Sequence, residues 1–468
     1  MSIISALFDN STYTAEQAFN AKDITSSDMK KAILDWYRLY YNTETTEQED
    51  PCQRIPVAVV NKLTKTVFSE YKAAPAKNTP KADWISKVFS GLERSRKQAM
   101  QQALIGGECF LKPLLSKAVV EFSVIQRRAC LILGRNEIGA VTDIGTMEQT
   151  EAGGKFYTLL ERRTVDAAGY LTIENRLYCS DNRAVLGNWV PLETLEQYAA
   201  LEPSYTFQKP LFSLGLIPVR CPAENCVDGS DDAVSVYAAA VGLIHNINRN
   251  EAQINGEFER GESRIICSED MMEVGPDGKR RELQAHVFTP VDGAPDDIGV
   301  NIFSPAFREQ SFLARKTEYL RNCETLIGLK RGILSEVEAA ERTATEVTSS
   351  AGDYNLTIID FQEMWEDAVR EALRICDLLG QLYGLCNSTT LDPEQDVTIS
   401  WGNGILYDED KTWAQYTALV AAGMLKPEIA IAWYFDLPFP ETPEDLAKIR
   451  ERYMPEIERL TEDGGGDE

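Results

Sequence analysis

The stretch Ile247-Asn-Arg-Asn-Glu-Ala-Gln-Ile-Asn-Gly-Glu-Phe-Glu-Arg-Gly-Glu-Ser-Arg-Ile-Ile266 changes character within its own length. Its first part continues a helical spacing of apolar residues: Val236, Leu243, Ile247, Ile254 and Phe258. Its end, Arg264-Ile-Ile-Cys267, reads as a short strand. Upstream, Ser230-Asp-Asp232 is a suitable opening for a helix, which predicts one helix over 231–260, on the order of 40 Å long at 1.5 Å per residue. Downstream lies a loop-rich insert with Gly275-Pro-Asp-Gly278, Pro290 and Asp292-Gly-Ala-Pro295, and then a second helix from about Phe307 to Leu326. Two long helices thus flank a compact strand-and-turn module. That is either a helical hairpin with a β tip or a stalk carrying a separate docking module.

Working toward the N-terminus, Ser26 and Ser27 are positioned to cap a helix through Trp36 and Tyr40. A helix over about 56–72 carries Val60, Leu63, Val67 and Tyr71 on one face. Thr79-Pro80 starts another, which stops at Gly106-Gly107. Val119–Ile125, Cys130–Leu133, Phe156–Arg162 and Tyr170–Tyr178 read as strands. In the last of these, Leu171, Ile173 and Leu177 alternate with Thr172, Glu174 and Arg176, which predicts one wet face, and Asp166-Ala-Ala-Gly169 is a hairpin loop. Residues 1–230 therefore read as one α+β domain. Toward the C-terminus, Thr343 and Glu346 have capping-box spacing before a helix running to Gly384, with a kink expected at Gly352. Asp396–Trp401 reads as a strand. Residues 411–422, 427–433 and 442–460 read as helices, and the tail from Thr461 to Glu468 is disordered by composition.

The chain of 468 residues has 73 acidic and 47 basic side chains, a formal net charge of −26. A protein that grips nucleic acid or anionic lipid over much of its surface is usually basic. The acidity excludes that class and leaves open one that DNA passes through without sticking. No apolar run approaches the roughly 20 residues of a membrane span, and the N-terminus lacks the pattern of a signal peptide. The ten cysteines are scattered, as in a reduced cytosolic protein. Cys221 and Cys226, with only His245 and His286 in the chain, give poor support for zinc.

No phosphate loop, dinucleotide fingerprint, zinc-protease helix or nucleophile elbow is present. The nearest phosphate-loop string, Gly106-Gly107-Glu-Cys-Phe-Leu-Lys112, has the wrong spacing. No catalytic residue, metal ligand or cofactor is assigned. A paired-carboxylate hydrolase stays open, because acidic residues are abundant and none is singled out. Asp228, Asp231 and Asp232 could hold a divalent cation, but a helix N-terminus attracts acids anyway.

Several segments, taken together and in order, resemble the portal proteins of tailed bacteriophages, of the type found in long non-contractile-tailed phages of Gram-positive hosts. They are the 247–266 stretch; Thr343-Ala-Thr-Glu346-Val347; Ile399-Ser-Trp-Gly-Asn-Gly-Ile-Leu-Tyr-Asp-Glu-Asp410, with Ala422-Gly423 and Ile449-Arg-Glu451 beyond it; and Gly106-Gly107-Glu-Cys-Phe-Leu-Lys-Pro113. The element order from about residue 25 to 460 also fits. Where the family often has Gly-Leu-Ser, this chain reads Ile327-Gly-Leu-Lys-Arg-Gly332.

The resemblance implies an α+β portal fold: a wing at 1–230 and again at 343–400, a stem at 231–260 and 306–327, a clip at 261–305, a tunnel loop at 328–342, and a crown at 401–468 ending in the acidic tail. It implies a dodecameric ring at one capsid vertex, through which double-stranded DNA enters and leaves. The partners implied are the terminase large subunit, scaffolding and major capsid proteins and a head-completion adaptor, without a membrane. The protein would be in the virion and, during assembly, in the host cytoplasm, and would not be an enzyme. Along the channel the expectation is alternating charge: Arg308, Arg315, Lys316 and Arg321 on the second stem helix, Lys330, Arg331 and Arg342 at the ends of the tunnel loop, and Glu336, Glu338 and Glu341 within it. The same residues could instead form salt bridges between subunits. Thr343 and Glu346 would cap the helix after the loop. A motif-free carboxylate hydrolase and a minor capsid or adaptor protein are the competing readings.

Overall fold

The computed structural model describes residues 7–42, 52–76, 79–260, 264–268, 288–291, 300–303, 308–335, 344–401, 409–435, 437, 440 and 442–454. The fold is mixed α+β with mainly antiparallel sheets. The chain divides into two compact units, Met1–Trp401 and Gly402–Glu468.

In the first unit, helices α1 (Ser11–Phe19), α2 (Ser27–Tyr41) and α3 (Ile55–Val67) precede a short strand β1 (Lys72–Pro75) and a long helix α4 (Ala82–Gly106). Ser26 caps α2 as its position predicts: its Oγ accepts from the Met29 N–H at 3.1 Å. Helix α3 ends earlier than its apolar spacing predicts, because Lys72–Pro75 pairs as a strand with Val397–Ser400. Helix α4 starts at Ala82 rather than at Pro80. Lys81 precedes it, and its buried ammonium pairs with Asp377. The buried face of α4, with Ile85, Val88, Leu92, Ala99 and Ala103, lies at the centre of the main core.

The strands β2 (Glu108–Leu115), β3 (Val120–Gln126) and β10 (Ile217–Arg220) form one sheet in the order β10-β2-β3. A larger sheet runs β4 (Cys130–Arg135), β5 (Val141–Ala152), β6 (Lys155–Val165), β7 (Leu171–Ser180), β8 (Asn188–Val190), with β9 (Ser204–Thr206) also on β7. The Asp166–Gly169 hairpin forms: the Asp166 carboxylate accepts from the Ala168 and Tyr170 amides. The face of β7 expected to be wet is half-covered, because Arg176 lies over the ring of Phe19, and its Nη1 donates to the Ala18 carbonyl. Strand β5 was not legible: Gly145 and its polar neighbours give no alternation, and it is paired on both edges by β4 and β6.

The long helix expected over 231–260 begins only at Val241, giving α5 (Val241–Arg260), with a single 3₁₀ turn before it. Its 20 residues span about 30 Å rather than 40. Residues 231–237 are held instead by long-range bonds. Asp232 pairs with Arg135 at 2.7 Å. Ser235 Oγ and the Val236 N–H both donate to the Leu104 carbonyl, and Tyr237 OH donates to the Trp36 carbonyl. Strands β11 (Arg264–Ser268), β12 (Phe288–Val291) and β13 (Val300–Phe303) form a separate sheet, β12-β11-β13, with β11 and β12 parallel.

Helix α6 (Glu309–Ile327) follows, then α7 (Ala344–Leu382), one uninterrupted helix of 39 residues with Gly352 inside it. Its core face carries Phe361, Trp365, Ala368, Val369 and Ala372. Strand β14 (Val397–Ser400) returns to β1, and Trp401 tilts against Tyr71 and donates its indole N–H to Glu366 at 3.1 Å.

The second unit contains α8 (Glu409–Ala421), α9 (Pro427–Tyr434) and α10 (Pro443–Tyr453). Trp413 packs on Tyr434, Tyr416 on Trp433, and Arg450 pairs with the buried Glu428. Thr442 caps α10 by accepting from the Asp445 N–H at 3.3 Å.

Candidate functional site

The helices α5 and α6 lie side by side and antiparallel, because successive partners run in opposite directions along the two. Glu257 accepts two bonds from Arg308 at 3.1 and 3.0 Å. Asn250 donates to the Phe312 carbonyl at 3.1 Å. Lys316 reaches Glu251 at 2.6 Å and Gln53 at 3.3 Å. Of the apolar spacing expected on α5, Ile247 and Ile254 are buried, Leu243 is half-buried and Phe258 is exposed, and Ile244, outside that spacing, is buried as well.

Arg308, Arg315 and Lys316, three of the basic residues predicted on α6, thus have acidic neighbours within the chain. Arg308 is paired with Glu257, Arg315 with Glu318 at 2.7 Å, and Lys316 with Glu251. The hydrogen-bonded Glu257 pushes the Arg308 guanidinium further up from its ordinary value, and Tyr319 and Glu318 do the same to Arg315. Arg308 also sits over the Phe312 ring and Arg315 over Tyr319. Arg321 is half-buried on the same helix. A groove of about 510 Å³ between the two helices is lined by Arg308 and Arg315 together with Arg249 of α5, a residue that apolar spacing could not single out.

At the end of α6 the chain turns back on itself around Glu324, whose side chain is fully buried. One carboxylate oxygen accepts from the amides of Gly332, Leu334 and Ser335 at 3.1, 2.6 and 2.9 Å. The other accepts from Ser335 Oγ at 2.8 Å. Lys330 and Arg331 stand on this turn, half-buried and exposed respectively. Glu336, Glu338, Glu341, Arg342 and Thr343 lie outside the described residues, as does the side chain of Glu346. Helix α7 begins at Ala344, the residue after Thr343.

The cation site considered at Asp228, Asp231 and Asp232 does not form. Asp232 is bound by Arg135 and Arg127, and Asp228 accepts from Ser26, Asn225 and the Ser230 amide. No group of three or more potential metal ligands occurs among the described residues. The nine cysteines whose side chains are described are all free. Burial pushes the Cys130 and Cys221 thiols up to about 12, so they stay protonated and poorly nucleophilic near neutrality. His245 lies 3.6 Å from Asp35, and His286 is outside the described residues.

No helix is long and apolar enough to cross a membrane among the described residues. No family model matches the sequence, and no curated protein matches it. Among solved structures, one similar to this chain is the neck of a native GTA particle computed with C12 symmetry. The likeness covers 92% of this chain and 99% of that chain, at 12% identity and a TM-score of 0.47.

Proposed function

We propose that this chain is a portal-type subunit of a phage-like particle, assembling as a dodecameric ring at one vertex of the capsid. Double-stranded DNA passes through the central channel during packaging and ejection, neither read nor held. The observation that carries this reading is the antiparallel pair α5–α6 with a three-stranded sheet inserted between its two helices. It stands in the stretch on which the sequence resemblance to portal proteins rests.

In this reading α5 and α6 form the stem, and the β11–β13 module is the clip on which the terminase large subunit and later a head-completion adaptor dock. The α/β body with α7 is the wing, and α8–α10 belong to the crown. Scaffolding and major capsid proteins surround the ring. Arg308, Arg315, Lys316, Arg321, Lys330, Arg331 and Arg342 place cations along the channel, with Glu336, Glu338 and Glu341 between them. Thr343 and Glu346 cap α7 after the tunnel loop. The chain itself is not an enzyme, and ATP hydrolysis belongs to the motor. It works in the virion, after assembly in the host cytoplasm.

Electron microscopy of the purified protein tests this. Top views with a central hole, from particles of several hundred kilodaltons, are the expected result. Elution as a single subunit under every assembly condition would overturn the reading.

A further inference from the structure

A cleft of about 850 Å³ opens between the middle of α7 and the segments flanking β10. Leu214, Leu216 and Met364 give it an apolar lining, and Phe212 on its wall is 71% exposed. One wall is acidic. Asp360, Glu363 and Asp367 follow one another at three- and four-residue spacing, so they share one face of α7. All three are exposed, and none has an ion-pair partner among the described residues. Of the other acids lining the cleft, Glu108 is matched by Arg127, Asp232 by Arg135 and Glu371 by Arg374, while Glu224 and Asp231 have no ion pair among the described residues. Like charges at this spacing destabilise a helix about as much as opposite charges stabilise it. The stripe therefore opposes the fold of the single chain.

The complement is elsewhere on the same chain. Lys62 and Lys65 of α3 and Lys97 of α4 are exposed, again with no ion-pair partner among the described residues. Gln101 donates to Asn61 at 3.2 Å, bridging α4 and α3. Lys65 and Lys97 each stand one helical turn from that bridge, so both lie along the same seam.

We propose that the acidic cleft on α7 receives the basic α3–α4 seam of a second copy of this chain. An acidic surface that fits a different, basic surface defines a head-to-tail contact, which builds a ring when the rotation closes. A symmetric pairing would instead set one acidic stripe against another. Charge matching of this kind selects the partner and fixes its register, while the exposed Phe212 supplies apolar area to bury. The inference rests on the ring reading and adds the surfaces that make the ring.

The test uses the full-length protein. One variant carries Asp360→Lys, Glu363→Lys and Asp367→Lys; the other carries Lys62→Glu, Lys65→Glu and Lys97→Glu. Each alone is expected to lose the assembled peak in size-exclusion chromatography with light scattering. Mixed in equal amounts, they are expected to recover it, because alternating copies then present opposite charges at every contact. A variant that had merely failed to fold could not be recovered by mixing. Wild-type rings unaffected by either set of reversals, or reversals that mixing does not rescue, would overturn this contact alone. A wild-type protein that remains a monomer would overturn the ring reading and the contact with it.

Discussion

Glu324 accepts hydrogen bonds from three backbone amides and one hydroxyl of the turn that follows α6. Nothing local announces this, since an acid inside a helix reads as solvent-facing and its partners lie 8 to 11 residues further on. Ser26 was legible for the opposite reason: its acceptor role is played out three residues away. Replacing Glu324 with Ala leaves buried donors without an acceptor, at roughly 1–3 kcal/mol for each group that water cannot reach. The expected outcome is a lower denaturation midpoint with faster amide exchange confined to 332–335, and a smaller loss for Glu324→Gln, which keeps one carbonyl acceptor. Uniform exchange along α6 would show that the carboxylate does not hold the turn. Glu161 makes a pH prediction. Burial alone would raise its carboxyl, but Arg163 and Lys112 outweigh that and hold it below its ordinary 4.5. A depressed folded value means that its contribution is complete above about 4.5 and is lost as pH falls through the folded value. The gap in urea midpoint between wild type and Glu161→Gln should therefore narrow on acidification below that point. A gap independent of pH would contradict the ion-pair origin.

At the scale of elements, the sequence marks a boundary when its cause is local. Gly106-Gly107 stops α4 where the glycines stand. The start of α5 was misplaced because Asp232 and Ser235, good helix openers in isolation, are held by Arg135 and the Leu104 carbonyl. Such bonds come from residues about a hundred positions away, beyond the reach of propensity. The same junction explains why residue 107 is glycine. Its φ is +85°, and an added Cβ would fall 2.3 Å from the Ala233 carbonyl oxygen. Gly153 also has a positive φ, +59°, but faces open space. Gly107→Ala and Gly153→Ala should each carry a backbone cost of about 1–2 kcal/mol, and the larger one belongs to Gly107, whose ψ of −41° lies outside the left-handed region. The first should add roughly 1–3 kcal/mol of overpacking where α4, β2 and the 231–237 segment meet. Thermal denaturation of the two variants decides it, and equal losses would mean that the junction yields.

For the whole molecule, under the proposed portal reading, the excess of acid and the pairing of its bases bear on how DNA would be treated. A protein that neutralises Z phosphates loses affinity with salt at a logarithmic slope of about 0.9 Z. Of the bases expected to line the channel, Arg308, Arg315 and Lys316 already have carboxylates within the chain, and the chain as a whole carries −26. To bind a phosphate, each of these must give up an existing pair, so little counterion release is left to drive binding. Arg249, which shares their groove, has no ion pair among the described residues, and neither have Lys330 and Arg331. Duplex DNA should therefore bind with a shallower salt slope than the full number of channel bases would give, in filter-binding or anisotropy titrations, and the slope should fall further in an Arg249→Ala variant. A steep slope, such as the 6 to 10 phosphate contacts of a protein that grips its duplex would give, would mean that the carboxylates are displaced and the wall holds DNA. Sliding would then have to overcome that hold at every step. A shallow slope fits a wall whose charges are satisfied before DNA arrives, which is the condition for passage in both directions.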